Sequence, residues 1–313
     1  WLGVAFLEEA LALRAAGLGE RVLAWLYSPT EDLAPAVAAD VDLGVYNQAE
    51  LARVVAAAER TGRTARVHLK ADTGLSRGGS PVAEWPDLVE AAAKAQAGGA
   101  VDVAGVWSHL ASSEEGPRHS LNQQQKAAFA EALDVARELR PEVRHLANSA
   151  ALLTDPDTHY DLVRAGASVY GLVPAPAFGD FGLRPAMTLV AEVVLTKRVP
   201  AGSGVSYRHR YTTSDETTLA LVPLGYGDGV PRNAGNAVPL RIKGKRYIVA
   251  GVVAMDQLVL DVGDDDVQPG DEVVLFGAGG PTVLEWAEAT GTIDYEIVTR
   301  LGARVPRTYV GEQ

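Results

Sequence analysis

Ala65-Arg66-Val67-His68-Leu69-Lys70-Ala71-Asp72-Thr73-Gly74-Leu75-Ser76-Arg77 leads into the alanine-rich run Ala83 to Ala97, and then into Val103-Ala104-Gly105-Val106-Trp107-Ser108-His109. A short apolar strand, a polar loop, an amphipathic helix and a second apolar strand make one βα unit, because parallel neighbours need a crossover of about a dozen residues or more. The same grammar extends in both directions. Further strands are expected at Leu2 to Phe6, Val22 to Leu26, Val41 to Val45, Val143 to Leu146 and Leu162 to Val169. Helices are expected at Glu8 to Ala16, Leu51 to Thr61 and Gln123 to Leu139. Repeated βα units predict a parallel sheet with helices outside it, and a closed (β/α)8 barrel is the fold that leaves no open edge.

About seven strands can be counted where a closed barrel needs eight. The start, Trp1 to Phe6, reads as a strand entered without a preceding cap or arm. One βα unit is therefore expected upstream of Trp1. After about Pro185 the pattern changes to period-2 runs at Thr188 to Thr196, Thr218 to Pro223, Ile248 to Val253, Leu258 to Val262 and Glu272 to Phe276. One helix, Val283 to Thr290, precedes a last strand expected near Val305. The reading is thus two domains: a barrel over residues 1–184 and a mainly β domain over residues 185–313.

The formal net charge is −12, and Lys and Arg form no stripe, which argues against a nucleic-acid partner. No apolar run approaches the length of a membrane span, and no targeting segment is visible. Cysteine is absent, which excludes disulfide scaffolds, Cys-based zinc sites and thiol nucleophiles, and a cytoplasmic location fits. Gly277 to Gly280 lacks the Lys-Ser/Thr tail of a phosphate loop and reads as a turn. Asp264-Asp265-Asp266 reads as a solvated loop rather than a metal site, and no metal is expected.

In a barrel the chemistry gathers at the C-terminal ends of the strands. Here those ends carry Lys70 to Arg77, Ser108-His109, His145-Leu146-Ala147-Asn148-Ser149 and Arg164-Ala165-Gly166-Ala167-Ser168-Val169-Tyr170. Any one could be ordinary loop chemistry; four in succession mark a site.

With Val205-Ser206-Tyr207, Gly225-Tyr226-Gly227-Asp228-Gly229, Ala254-Met255-Asp256-Gln257 and Ile293-Asp294-Tyr295-Glu296, these motifs resemble in order and approximate spacing those of alanine racemase. The resemblance runs over essentially the whole chain. It implies a pyridoxal 5'-phosphate enzyme that interconverts L- and D-alanine, supplies D-alanine for peptidoglycan, and works as a head-to-tail homodimer with shared active sites. Tyr207 would be one of two opposed acid/base groups, with His109 and Arg164 stabilising its phenolate. Arg164 would also meet the cofactor's ring nitrogen, with His109 nearby. Ser149, the backbone of Gly166 and Ala167, and Tyr295 would hold the phosphate. Arg77, Met255 and Tyr226 would meet the amino-acid substrate, and His145 would support the Tyr207 region.

The lysine that binds the cofactor as a Schiff base belongs to the family's first barrel strand and is expected upstream of Trp1. Lys70-Ala71-Asp72 looks like the opening of that motif, but Arg77 seven residues later matches a different family element, in which the lysine can be carbamylated. The plain alternative is an unmodified lysine in a salt bridge. Gly227 and Arg208 depart from the family's commoner pattern and leave substrate preference open. Two other readings stay open as well: a related racemase, for example one acting on serine, or an inert fragment or binding module if no Schiff-base lysine exists. Fold-related decarboxylases are set aside, because their catalytic cysteine and glycine-triplet loop are missing.

Overall fold

A computed structural model describes residues 1–311 as two compact units. The first comprises residues 1–166 and 173–181, the second residues 167–172 and those from 182 onward.

In the first unit strands and helices alternate: β1 (Leu2–Phe6), α1 (Leu7–Ala15), β2 (Val22–Leu26), α2 (Ala34–Ala38), β3 (Asp42–Val45), α3 (Gln48–Thr61), β4 (Ala65–Lys70), α4 (Trp85–Ala97), β5 (Val101–Trp107), α5 (Ser120–Val135), β6 (Val143–His145) and α6 (Ser149–Thr154). The six strands pair in parallel in the order β1-β2-β3-β4-β5-β6, the (β/α) arrangement of a TIM-type barrel. Leu43, Val67, Leu69 and Val106 from the strands share one apolar cluster with Leu51, Val54, Leu88 and Phe129 from the helices. Where the strands give way to helices, local chemistry closes the backbone. Asn47 accepts from the Glu50 N–H at 2.9 Å and Asn148 from the Ala151 N–H at 3.1 Å, each an N-cap that satisfies an orphan donor.

The expected strand at Leu162 to Val169 does not form. That segment still runs beside β6, with the Asp161 N–H donating to the Arg144 carbonyl and the Arg164 N–H to the Ala147 carbonyl. Two isolated bonds make no ladder, and Ala167–Tyr170 then turns into a 3-10 helix. Among the described residues six parallel strands therefore stand where about seven are expected.

The second unit contains β7 (Leu189–Glu192), β8 (Leu195–Val199), β9 (Gly204–Val205), β10 (Tyr211–Thr212), β11 (Thr217–Val222), β12 (Pro239–Ile242), β13 (Lys245–Ile248), β14 (Leu258–Gly263), β15 (Glu272–Phe276), α7 (Val283–Thr290) and α8 (Asp294–Thr299). Its two larger sheets run β13-β12-β15-β7 and β14-β11-β8, all antiparallel. The run from Thr188 to Thr196 is two strands, not one. The Val193 N–H bonds to Asp271 and the Val194 N–H to Leu221, so the chain changes sheets between adjacent residues. The strand expected at Ile248 to Val253 ends at Ile248, because Gly251 takes φ +80° and packs on the Val205 carbonyl. No strand forms near Val305 either: Pro306 offers no N–H, and Arg307 folds back onto the carbonyls of Leu301, Gly302 and Val305. Among the described residues no helix is long and apolar enough to cross a membrane.

Phe129 is wholly buried, its ring edge-on to Tyr160 at 5.2 Å. Phe129→Ala is expected to cost about 3–5 kcal/mol in urea unfolding, the range for emptying an aromatic site in a close-packed core. A loss below about 1 kcal/mol would mean that α5 does not pack as described.

Candidate active site

Arg164 organises the polar end of the first unit. Protein surrounds its guanidinium, and the residue as a whole is half-buried. One terminal nitrogen donates to the carbonyls of Ser108 at 2.7 Å and Leu146 at 3.0 Å, and to His109 Nδ1 at 3.3 Å. The other donates to His145 Nδ1 at 3.0 Å. The guanidinium carbon also lies 5.1 Å from the centre of the Trp107 ring. No carboxylate pairs with Arg164 among the described residues. Burial pulls its pKa down to about 9, which still leaves it charged at neutral pH.

A donor-only cation dictates its partners' protonation. His109 Nδ1 accepts, so its proton sits on Nε2, and His145 is bound the same way. Burial, and then the charges of Arg164, Arg77 and Lys70, push His109 down to about 3. Burial followed by Arg164 and His68 lowers His145 as well. Both rings are therefore neutral, and His109 can offer the site a hydrogen bond but no charge.

Lys70, 4% exposed, ends β4 and donates to the Gly78 carbonyl. Its ammonium lies 5.2 Å from the Trp107 ring centre and 5.7 Å from that of Tyr46. Among the described residues it pairs with no carboxylate, so the plain salt-bridge reading finds no partner. Burial is the main force bringing its pKa down to about 8, with Arg77 and Arg164 adding to the effect and Asp72 opposing it. Arg77 itself is exposed, and its charge reaches Lys70 and His109.

At the start of α6 the Gly166 N–H donates to Ser149 Oγ at 2.9 Å. A methyl group on Gly166 would meet nothing closer than that oxygen, at 3.9 Å. A backbone N–H and a hydroxyl side by side, with a glycine that adds no side chain, are groups suited to an anion. The unspent N–H groups of Arg164, one on the nitrogen that binds His145 and the Nε–H, likewise suit a lone-pair acceptor. The first unit thus brings together Lys70, Arg77, His109, His145, Ser149, Arg164 and Gly166, and its donor set fits pyridoxal phosphate.

The remaining candidates lie in the second unit. Ala167 is buried at the head of its 3-10 turn, and Tyr295 is partly exposed in the first turn of α8. Tyr207 is exposed and flanked by Ser206, Arg208 and His209, all at positive φ (59°, 61° and 43°). Ser206 Oγ anchors this kinked turn on the Val252 carbonyl at 2.6 Å. Tyr226 and Met255 sit on adjoining loops, joined by bonds from the Tyr226 N–H to Ala254 and from the Gly227 N–H to the Met255 carbonyl. Among the described residues no group of His, Cys, Asp or Glu is placed to hold a metal.

Residues 1–174 match the family model for the alanine racemase N-terminal domain, and residues 186–309 that for its C-terminal domain. The chain is 59% identical to the alanine racemase of Frankia casuarinae, covering 99% of this chain and 83% of that protein. The Streptomyces coelicolor alanine racemase is 53% identical over 100% of the chain and 83% of its own length. A solved alanine racemase from D-cycloserine-producing Streptomyces lavendulae superposes with a TM-score of 0.97 at 52% identity, covering 100% of this chain and 84% of that one. The chain belongs to the alanine racemase family. The family's enzymes are pyridoxal phosphate-dependent racemases, and the fold here is theirs: a TIM-type barrel followed by a mainly β domain.

Motif reading in this alanine racemase fold missed Trp107, although it touches both Lys70 and Arg164 and stacks on His145 at an interplanar angle of 4°. The available signal was its position, a bulky aromatic directly before Ser108-His109 at a strand end.

The neutral histidines give stability a definite pH dependence. His109 has a lowered pKa in the folded chain, so between about 6.5 and about 3 the unfolded chain binds the extra proton. The stability is whole above pH 6.5 and is lost as pH falls. His68 and His145, also lowered, act in the same direction. Urea titrations from about pH 7.5 to 5 should show a slope approaching about 1.4 kcal/mol per pH unit for each histidine. His109→Gln should remove one histidine's share; an unchanged slope would mean that His109 is charged in the fold.

Proposed function

We propose that the chain interconverts L- and D-alanine with pyridoxal phosphate, in a homodimer whose sites draw on both copies. The observation that carries this reading is Arg164: a buried cation held by two neutral histidines and two carbonyls, with no carboxylate and with N–H groups to spare. When bound, pyridoxal phosphate takes up the amino acid's nitrogen and spreads over its conjugated ring the charge left when the α-proton departs.

Arg164 would supply a hydrogen bond to the ring nitrogen and, being donor-only, cannot accept a proton from it or give one up at neutral pH. Arg164 would thereby keep that nitrogen unprotonated and limit the ring as a sink for charge, which would disfavour transamination. Ser149 Oγ, the N–H groups of Gly166 and Ala167, and the Tyr295 hydroxyl hold the phosphate. Tyr207 of one copy takes or returns the α-proton on one face. The second base, on the other face, is the lysine expected upstream of Trp1. A tyrosine with an ordinary pKa near 10 serves as a base only beside positive charge, which Arg164 supplies while neutral His109 adds an Nε2–H.

Arg77, the Met255 N–H and Tyr226 receive the substrate's carboxylate and line its entrance. Lys70, with its pKa near 8, keeps part of its amine neutral at physiological pH. That nitrogen attacks carbon dioxide and loses a proton, and the resulting carbamate anion orients Arg77.

Two measurements test this reading. In D2O, full-length Tyr207→Phe protein should racemise about 10²- to 10⁴-fold more slowly. It should still wash deuterium into D-alanine while leaving L-alanine nearly unlabelled; equal labelling of both enantiomers would remove Tyr207 from the mechanism. With 13C-labelled bicarbonate, the wild type should show one carbamate carbon resonance that Lys70→Ala lacks. If the resonance persists in that variant, another amine is the one modified.

A further inference from the structure

Behind Arg164 a chain of buried polar groups runs back through the sheet. Asp42 on β3, His68 on β4 and His145 on β6 are each 0% exposed. Asp42 Oδ1 accepts from Arg66 Nε at 2.6 Å, and Oδ2 from Arg21 at 3.1 Å, while Arg21 also pairs with Glu142. The same Oδ2 lies 3.3 Å from His68 Nε2. His68 Nδ1 lies 2.9 Å from His145 Nε2, and His145 Nδ1 meets Arg164 at 3.0 Å.

The two ends leave one assignment of protons. A carboxylate between two guanidiniums is ionised and only accepts, so His68 carries its proton on Nε2. Arg164 only donates, so His145 Nδ1 is bare and its proton sits on Nε2. The bond between the rings then runs from His145 Nε2–H to His68 Nδ1, and every contact is satisfied. A second proton on either ring would set two N–H groups against each other at 2.9 Å, or an N–H against Arg164.

Gly105 belongs to this arrangement. It lies on β5, between β4 and β6, at an unremarkable φ, so its backbone does not call for glycine. A Cβ there would sit 2.1 Å from His68 Nδ1 and 2.6 Å from its Cε1. The missing side chain is what allows the imidazoles to meet across the strand.

We propose that Asp42 and His68, with Gly105 making room, are positioning residues that lock His145 in its Nε2–H tautomer and so fix the donor pattern of Arg164. This rests on the reading that Arg164 meets the cofactor's ring nitrogen. An unlocked His145 can turn an Nδ1–H toward Arg164, and the guanidinium must then swing away from the orientation its other bonds set.

Histidine 15N NMR of the full-length, cofactor-loaded protein tests the lock directly, with His68 and His145 identified by single substitutions. Both rings should show the neutral Nε2–H pattern, unchanged from about pH 5.5 to 9. A proton on His145 Nδ1, or an imidazolium at either position, overturns the proposal. His68→Leu should give a mixed or altered His145 tautomer and lower kcat by roughly tenfold or more, as loss of an outer-shell partner does, with little change in KM. His68→Gln can accept from His145 and donate to Asp42, and should restore both the tautomer and most of the lost rate. If His68→Leu matches wild type in the His145 signals and in kcat, the lock is wrong. Gly105→Ala should resemble His68→Leu. Wild-type protein with the expected tautomers but no alanine racemisation would overturn the functional reading and leave the lock standing; racemisation with His145 protonated on Nδ1 would overturn the lock alone.

Discussion

A guanidinium enclosed by protein without a carboxylate is an expensive group, since burying an unpaired charge costs several kcal/mol unless dipoles replace the lost water. Arg164 receives that replacement from two carbonyls and two imidazole nitrogens. The carbonyls come from Ser108 and Leu146, immediately beyond β5 and β6, where the parallel strands direct their last backbone groups toward the site. The imidazoles must be neutral to accept at all. One buried charge therefore sets the protonation of His109 and His145 directly, and that of His68 through His145.

The second unit meets a different constraint. Three non-glycine residues at positive φ surround Tyr207, and such conformations cost energy that neighbouring contacts must offset. Ser206 supplies one contact through Val252, and Gly251 supplies another by letting its backbone close on Val205. The turn is thus held at two points, with Tyr207 exposed on it. Kinked backbone of this kind persists only where the surrounding contacts over-determine it.

Much of this was legible in the sequence because both decisive signals are local. The βα rhythm follows from short-range hydrophobic period, and β1 and β15 fall at the predicted residues. Strand-end motifs such as Ser108-His109 and Arg164-Ala165-Gly166 lie where barrel geometry collects polar groups. The segment from Leu162 to Val169 looked equally strand-like, yet only isolated bonds tie the chain there to β6 and the residues just after it, from Asp161 to Arg144 and from Arg164 to Ala147, which no periodicity encodes. The Asp42–His68–His145 chain was invisible for a related reason. Its members lie on three strands, and its clearest local trace, a glycine inside β5, reads in isolation only as a weak strand residue.

The charges near Arg164 extend the same logic. The whole chain carries a net charge of −12, yet Arg77 and Arg164 lower the proton affinity of Lys70, and all three cations lower that of His109, with Asp72 as the one opposing carboxylate felt at Lys70. An assembly of that kind is stabilised by an anion that arrives from outside. A phosphate and an amino-acid carboxylate are two such anions, and a carbamate on Lys70 would be a third, converting a buried cation into a partner for the exposed Arg77. The same electrostatic deficit would then favour cofactor, substrate and modification together.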